Sequence, residues 1–414
     1  MKAIVSTGFG KLYFHETARA LASSGVEVNF LAGWLPRPGQ AAIVDFLGAA
    51  IGEKHLARRL ESRRLDAPGT AVTSIAWPEV AGTLLGLASR LRLLPRDLAF
   101  GWQFRVAALG SRKYLKDADA LLVRSGAGQS GAIQRARRNG LGVVTDQSLA
   151  HPAFIHEVLR EEFLRFGLDA GYDPATDIWK LVLRDCDQAD LLLVNSDFVK
   201  QTFLQYGYPE EKIRVAYLGV RENFFDLKKD YEVRGPVKIL FTGNFDLRKG
   251  SRILMEAVRL CRRRGLDLRV ELIGNLSNGA PCVQPGDASF FTHTPFIPPS
   301  ELAPAMERAD LFVFPTFAEG SSRSAMEAAA AGLPIVTTKN CGLPLEHEKS
   351  ALYVSVGEVE ALAEAIARAS GDRALRESLG RNAMRTVTEN HTWRHYGETV
   401  KTTLEEAAAM RRSR

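Results

Sequence analysis

From Ala309 to Thr338 the chain reads ADLFVFPTFAEGSSRSAMEAAAAGLPIVTT, and its hydrophobic pattern changes period along the way. Leu311 to Phe314 is a continuous apolar run, the pattern of a short strand buried on both faces of a parallel sheet. Pro315 ends it, and Glu319-Gly320-Ser321-Ser322 is an acidic turn. Met326 to Ala331 consists of strong helix formers, stopped by Gly332 and Pro334. Ile335-Val336 then opens another strand, so the unit predicted is strand, turn, helix, strand.

The same alternation recurs elsewhere. Ala3-Ile4-Val5 is a strand, Gly8-Phe9-Gly10 a tight turn, and a helix from His15 carries Ala18, Leu21 and Ala22 at helical spacing before Val26 to Leu31 resumes a strand. Further strands are predicted at 118–123, 141–145, 189–194, 237–242 and 268–273. Alternating strands and helices over 414 residues predict an α/β protein of two domains. The charged stretch from Arg221 to Pro236 is the expected link between them. Residues 34–115 hold leucine-rich helical pieces with basic flanks and no nameable motif.

No run approaches about 18 apolar residues, so no spanning helix is expected. The start, MKAIVSTGFG, lacks a signal-peptide pattern. Cys186, Cys261, Cys282 and Cys341 show no metal spacing and suit a reducing cytosol. The net charge of +6 is concentrated in Lys54 to Arg64, in six basic residues between Arg90 and Lys113, and in the tail Arg411-Arg412-Ser413-Arg414. Basic residues among Leu, Phe and Trp suit either an anionic membrane surface or a solvated face. No nucleic-acid-binding motif accompanies them. The opening βαβ unit is not a dinucleotide site: a third glycine is required at position 13, which is Tyr13, and no acid ends the second strand at Leu31-Ala32-Gly33.

Three stretches carry candidate chemistry. Glu319 and Glu327 lie eight residues apart at the start of a helix and the carboxyl end of a parallel strand, where open α/β sheets bind ligands. Backbone N–H groups from Ser321 to Ser324 favour a phosphate or sugar hydroxyl there, and paired carboxylates suit vicinal hydroxyls. The alternative is two solvated acids favoured by the helix dipole. Gly243-Asn244-Phe245-Asp246-Leu247-Arg248-Lys249-Gly250 sets two cations before a helix, either as a diphosphate cradle or as a basic surface turn. The loop from Asp146 to Pro152 opens into the same crevice and offers Asp146, which could bind an acceptor hydroxyl, and His151, which is either functional or structural.

The segment around Glu319, Gly320, Glu327, Ala328, Gly332 and Pro334 resembles the E-x7-E signature of retaining glycosyltransferases with the GT-B fold, family 4 in particular. Lys249-Gly250 resembles the end of that family's Gly-Arg-x-x-x-x-Lys-Gly loop, with Asn244 where Arg is usual. Asn195-Ser196 and Lys212 to Val220 match as well. The turn Gly320-Ser321-Ser322-Arg323-Ser324 departs from the family's usual Gly-Phe-Gly-x-Pro. The resemblance implies two Rossmann-like domains facing across a cleft: 1–220 on the acceptor side, a linker 221–236, a donor domain 237–390, and a helix from 391 to 414 returning to the first domain. It implies that Glu319 holds the donor sugar and Glu327 the ribose. It further implies that Gly243, Asn244, Arg248, Lys249, Gly320, Ser321 and Ser322 surround the donor, and that Thr294, Phe296 and Ile297 meet the base, with Phe296 equally a candidate core residue. Gly8, Phe9 and Gly10 would face acceptor and phosphates, and His151 or Asp146 the reacting sugar or acceptor. No metal, cofactor or protein nucleophile is implied. The expected activity is retaining transfer of a sugar from a nucleoside-diphosphate sugar to a glycan or lipid-linked acceptor, in the cytoplasm or at the inner membrane face. Two rivals stand beside it: a nucleotide-sugar epimerase or hydrolase of the same fold, and a non-catalytic sugar-nucleotide-binding protein.

Overall fold

The computed structural model describes residues 1–8, 13–35, 65 and 67–412. Phe9 and Gly10, the basic stretch from Lys54 to Arg64, and Ser413-Arg414 lie outside the described residues. The rest form two all-parallel sheets. The first has seven strands in the spatial order Thr70–Ser74, Glu27–Ala32, Lys2–Ser6, Ala120–Arg124, Gly142–Gln147, Leu191–Val194, Ile213–Val215. The second has six, in the order Phe291–Thr294, Leu268–Ile273, Val237–Thr242, Leu311–Phe314, Ile335–Thr338, Leu352–Val354. In each the strand order reverses once, between Lys2–Ser6 and Ala120–Arg124 in the first and between Val237–Thr242 and Leu311–Phe314 in the second. At such a reversal neighbouring crossovers leave in opposite directions and a crevice opens at the carboxyl ends of the strands.

The apolar runs explain the burial. Leu311, Phe312, Val313 and Phe314 are all fully buried, because helices cover both faces of the sheet. The helix after them runs Arg323–Ala331, starting three residues before the strong helix formers. The Ser322 hydroxyl accepts from the Ala325 N–H, and Gly332 ends the helix at φ 85°.

The last helix, Trp393–Arg412, returns to the first sheet and crosses the strand Gly142–Gln147. Its backbone comes so close that a Cβ on Gly142 would lie 2.3 Å from the carbonyl carbon of Ala407. Ion pairs fasten it: Arg411 and Arg137 share Asp190, Arg214 meets Glu406, and Arg412 reaches Asp119 at 2.7 Å. Arg411 and Arg412, counted in the sequence among the basic residues of the tail, are therefore used within the fold. The expected link 221–236 is also anchored. Asp226 and Lys228 donate their N–H groups to the carbonyls of Ala330 and Ala331, and the Tyr231 hydroxyl donates to that of Gly332.

The helix Pro152–Leu164 precedes the link in sequence yet buries Ile155, Leu159 and Phe163 in the core built around the second sheet. Its Glu162, 2% exposed, receives two N–H groups of Arg252 at 2.8 and 2.7 Å. This pair ties the two halves together, and with both charges withdrawn from water it depends on both partners.

Gly142→Ala is expected to lower unfolding free energy by about 1–3 kcal/mol, because the added methyl meets rigid backbone. Gly371→Ala, where no atom lies within 4 Å of the new Cβ, is expected to be neutral or slightly stabilising. Chemical denaturation of the two variants checks this, and equal effects would remove the docking constraint.

Candidate active site

The two crevices face each other and enclose a cleft of about 620 Å3. The first domain supplies Tyr13, Ser148, Asn195 and Leu218; the link supplies Arg221, Asn223 and Phe224. The second domain supplies Thr242, Gly243, Lys249, Gly274, Pro295, Phe296, Ile297, Glu319, Ser321, Ser322, Arg323, Ser324 and Glu327.

Two loops on either side of the strand reversal build its centre. After Val237–Thr242 comes a short turn, Leu247–Lys249, whose first N–H groups are capped by Asp246, which accepts from the Lys249 N–H at 2.8 Å. Gly250 follows at φ 78°, with a would-be Cβ only 2.1 Å from the Pro315 carbonyl oxygen. Any side chain there would separate the two loops. The turn directs Arg248 and Lys249 to one partner from the other loop. Arg248 donates to Oε1 of Glu319 at 2.6 Å and to the Ala318 carbonyl at 2.5 Å. Lys249 Nζ lies 3.9 Å from the same Oε1, beside Gly243. Burial alone would lower the Arg248 guanidinium, but Glu319, Tyr172 and Asp246 outweigh it and hold its pKa above the ordinary value.

These contacts give the two cations different roles. Lys249 lines the cleft; Arg248 does not, since its guanidinium is spent on Glu319 and Ala318. The reading of Arg248 as a direct phosphate contact therefore changes to a residue that positions Glu319. Glu327 stands in the cleft with Arg323 3.9 Å away and Arg221 near enough to act on it. Burial raises its carboxyl above the ordinary range, and these two arginines oppose the rise.

Thr242, Asn195 and Ser321 line this cleft, and their Oγ1, Oδ1 and Oγ atoms are buried with no hydrogen-bond partner among the described residues. An unsatisfied buried polar atom costs roughly 1–3 kcal/mol, so three at one site mark a place built for a polar ligand.

Other expected residues sit differently. Gly320 touches the first domain instead of lining the cleft: a Cβ there would lie 1.9 Å from the Ser148 carbonyl oxygen. Its own carbonyl accepts from the Ser196 hydroxyl at 2.5 Å, while that hydroxyl also caps the helix Asp197–Gln205. Asn244 is exposed and outside the lining. Pro295, Phe296 and Ile297 line the cleft and Thr294 does not, since its carbonyl closes the strand by accepting from the Gly274 N–H. Phe296, 77% exposed, is not a core residue. Gly8 lies at the end of its strand at φ 70° and lines a separate small cavity.

His151 is placed away from the cleft. It is the N-cap of Pro152–Leu164, accepting from the Ala153 N–H at 3.3 Å, and its ring stacks on Tyr206 with centroids 4.3 Å apart. Burial lowers its pKa to about 4, which keeps it a neutral acceptor. A structural role replaces the functional one. Asp146 is buried directly behind the cleft wall and accepts a short hydrogen bond from the Tyr13 hydroxyl. Burial raises its pKa to about 7, with Tyr13 and Arg124 opposing. Tyr13, the residue that spoils the dinucleotide fingerprint, is thus the first domain's contribution nearest Asp146. Sequence reasoning missed Tyr13, Asn195, Arg221, Thr242 and Arg323 as lining residues. Asn195 and Thr242 stand at strand ends, Tyr13 and Arg323 at helix starts, and Arg221 in the link.

Two facing parallel-sheet domains, with cations and carboxylates converging from the second, define the class of two-domain sugar-nucleotide transferase folds. The glycosyltransferase family 4 model matches residues 11–224, and the group 1 glycosyl transferase model matches residues 236–372. The chain belongs to glycosyltransferase family 4. It is 29% identical over 195 residues to the amylovoran biosynthesis glycosyltransferase of Erwinia amylovora, covering 44% of this chain and 48% of that protein. The chain spans about half the length of the curated relatives it matches. In structure it is similar to sucrose-phosphate synthase of Thermosynechococcus elongatus, with TM-score 0.71 over 99% of both chains at 17% identity. An Anabaena protein solved with UDP and glucose aligns at TM-score 0.60, over 98% of this chain and 99% of that one, at 16% identity.

Two outcomes follow for the first domain. In the folded state Asp146 holds its proton to about pH 7, whereas unfolded it releases it near pH 4. Wild-type stability therefore falls as pH rises through that window. Asp146→Asn, which does not titrate, is expected to gain on wild type from pH 4 to 7 and then hold a constant margin, with about 4 kcal/mol as the ceiling. Denaturant midpoints at several pH values measure the gap, and a gap that does not change with pH contradicts the assignment. His151→Ala is expected to cost about 1–3 kcal/mol from the lost cap and ring stack and to leave turnover per folded molecule within about threefold.

Proposed function

We propose that this protein transfers a sugar from a nucleoside-diphosphate sugar to a hydroxyl of a glycan or lipid-linked acceptor, with retention at the anomeric carbon and without a metal ion. The observation that carries the reading is the three buried polar atoms of Thr242, Asn195 and Ser321, partnerless among the described residues, on side chains that share one cleft with Lys249, Glu319 and Glu327. A hydroxyl- and phosphate-rich ligand satisfies both the orphan atoms and the fixed charges.

The roles follow from chemistry. Lys249 and the N-terminus of the helix Arg323–Ala331 stabilise negative charge on the departing diphosphate, with Arg221 and Arg323 adding to the field. Glu327 accepts from the ribose hydroxyls. Glu319, fixed by Arg248, accepts from the donor sugar. The exposed ring of Phe296, between Pro295 and Ile297, offers the base an apolar wall. The bond from the anomeric carbon to the phosphate oxygen breaks as the acceptor oxygen bonds from the same face, and the acceptor's proton passes to the leaving phosphate. No protein nucleophile is required. Contacts between the halves, such as Ser196 to Gly320, narrow the cleft and limit access of water. The relative named as an amylovoran biosynthesis glycosyltransferase supports a biosynthetic role, which we place in cell-surface polysaccharide or glycolipid synthesis at the cytoplasmic side.

Thermal unfolding with UDP, GDP and ADP, on wild type and Glu327→Ala, is the direct test. One nucleotide is expected to raise the wild-type midpoint by several degrees near 100 times its Kd, a gain of about 2.7 kcal/mol, and to leave the variant unmoved. Lys249→Ala is expected to lower kcat about 10²–10³-fold. Full activity in either variant would overturn the assignment, and free sugar formed from donor alone would turn it into a hydrolase.

A further inference from the structure

Thirteen large apolar side chains among the described residues are strongly exposed, and ten of them lie between Trp77 and Leu109. That stretch is a helical hairpin, Ala76–Arg90 and Arg96–Ser111, joined by the turn Leu91-Arg92-Leu93-Leu94-Pro95. Its inner face is well seated. Phe104 and Ala108 are buried, Gly110 sits against Pro78, and Gln103 donates to the Gly82 carbonyl at 2.8 Å. Arg105 makes a two-point ion pair with Asp177 of a neighbouring helix, at 2.7 and 2.6 Å. The outer face is the opposite. Leu84 and Leu91 are 62% exposed, Leu93 at the tip is 76% exposed, and Trp77, Phe100 and Trp102 are about half exposed. A rigidly held element that keeps a contiguous apolar face in water is an interaction surface.

The charge on that surface selects the partner. Between Ala76 and Lys113 there are six basic residues and two acidic ones. Of the acids, Glu79 is turned inward to accept from the Trp34 N–H. Arg92 and Arg96 flank the exposed leucines of the tip and are themselves exposed. Leucines and arginines share the tip, and Trp102 follows in the first half of the second helix; at a headgroup boundary alkyl stems lie along the apolar layer and charges stay with the phosphates.

We propose that the hairpin docks this protein on an anionic lipid surface, with Leu91 and Leu93 entering the headgroup layer and Arg92 and Arg96 on lipid phosphates. The hairpin's buried Phe104 packs near Gly8 and Gly126, at the carboxyl ends of the strands Lys2–Ser6 and Ala120–Arg124. That is the edge of the first sheet that faces the cleft. Docking would thus hold a lipid-linked acceptor beside the first-domain wall; this consequence rests on the transfer reading, whereas the docking does not.

The test is co-sedimentation of the full chain, without donor, on vesicles of pure phosphatidylcholine or of phosphatidylcholine with about one third phosphatidylglycerol. Wild type is expected to bind the anionic vesicles at least tenfold better and to be released by salt. Arg92→Glu/Arg96→Glu and Leu93→Glu/Trp102→Glu are each expected to weaken binding at least tenfold, with the unfolding midpoint and the nucleotide-induced shift unchanged. Absence of wild-type binding, or undiminished binding by both variants, overturns the proposal. So does a wild-type dimer that the same substitutions dissociate, since a second copy would then be the occupant. A lowered midpoint in the Leu93/Trp102 variant also overturns it, because the face would then be covered by the chain itself. A nucleotide shift that persists when vesicle binding fails separates this result from the transfer reading.

Discussion

Glu319 is held across the strand reversal of the second sheet by Arg248, at 2.6 Å, with both side chains largely withdrawn from water. Removing one member of such a pair leaves an uncompensated charge and costs about 3–5 kcal/mol. The pair brings the loop after Val237–Thr242 against the loop after Leu311–Phe314. Once they meet, Lys249 has one place to go, beside the same carboxylate and over Gly243. Glycine at 250 is what permits the approach. The cleft's remaining polar groups, the Ser321 hydroxyl and the Glu327 carboxylate, follow from the helix that begins just beyond.

A second set of contacts fixes how the halves face each other. The Ser196 hydroxyl meets the Gly320 carbonyl across the cleft, while two exchanges of chain tie the halves: the helix Pro152–Leu164 packs on the second domain through Glu162 and Arg252, and the final helix packs on the first over Gly142. The Gly320 contact lies one residue from Glu319, so the approach of the domains and the placing of the Glu319 carboxylate are linked through a single peptide. Motion between the domains must break or shift the Ser196–Gly320 contact, which gives any opening a cost.

Sequence patterning made the second domain largely legible. Leu311 to Phe314, the Gly332 stop and the cation pair before Gly250 are local signals, carried by burial on both strand faces and by backbone conformation. Glu319 and Glu327 share one strand-to-helix connection, and Lys249 joins Glu319 because its strand, Val237–Thr242, is the neighbour of Leu311–Phe314. The first domain was less legible. His151 has the right position for a ligand contact, at the end of a strand beside a crevice. Its ring turns instead into Tyr206 and Phe203, partners some 50 residues on.

Composition and period, then, determined the class of fold and the alternation of strand and helix, and the resemblance of two local motifs singled out Lys249, Glu319 and Glu327. These depend on interactions within about ten residues, which a chain states directly. The tertiary structure alone decided which charges are spent on other protein groups and which face the cleft. It divided Arg248 from Lys249, took Gly320 and His151 out of the lining, brought in Tyr13, Asn195 and Arg221, and left the hairpin's leucines outward. Those outcomes depend on which distant backbone and side-chain atoms arrive within 3 to 4 Å. Hydrogen-bond and ion-pair energies fall off over just that range, so the same residue type is a ligand group in one arrangement and a strut in another.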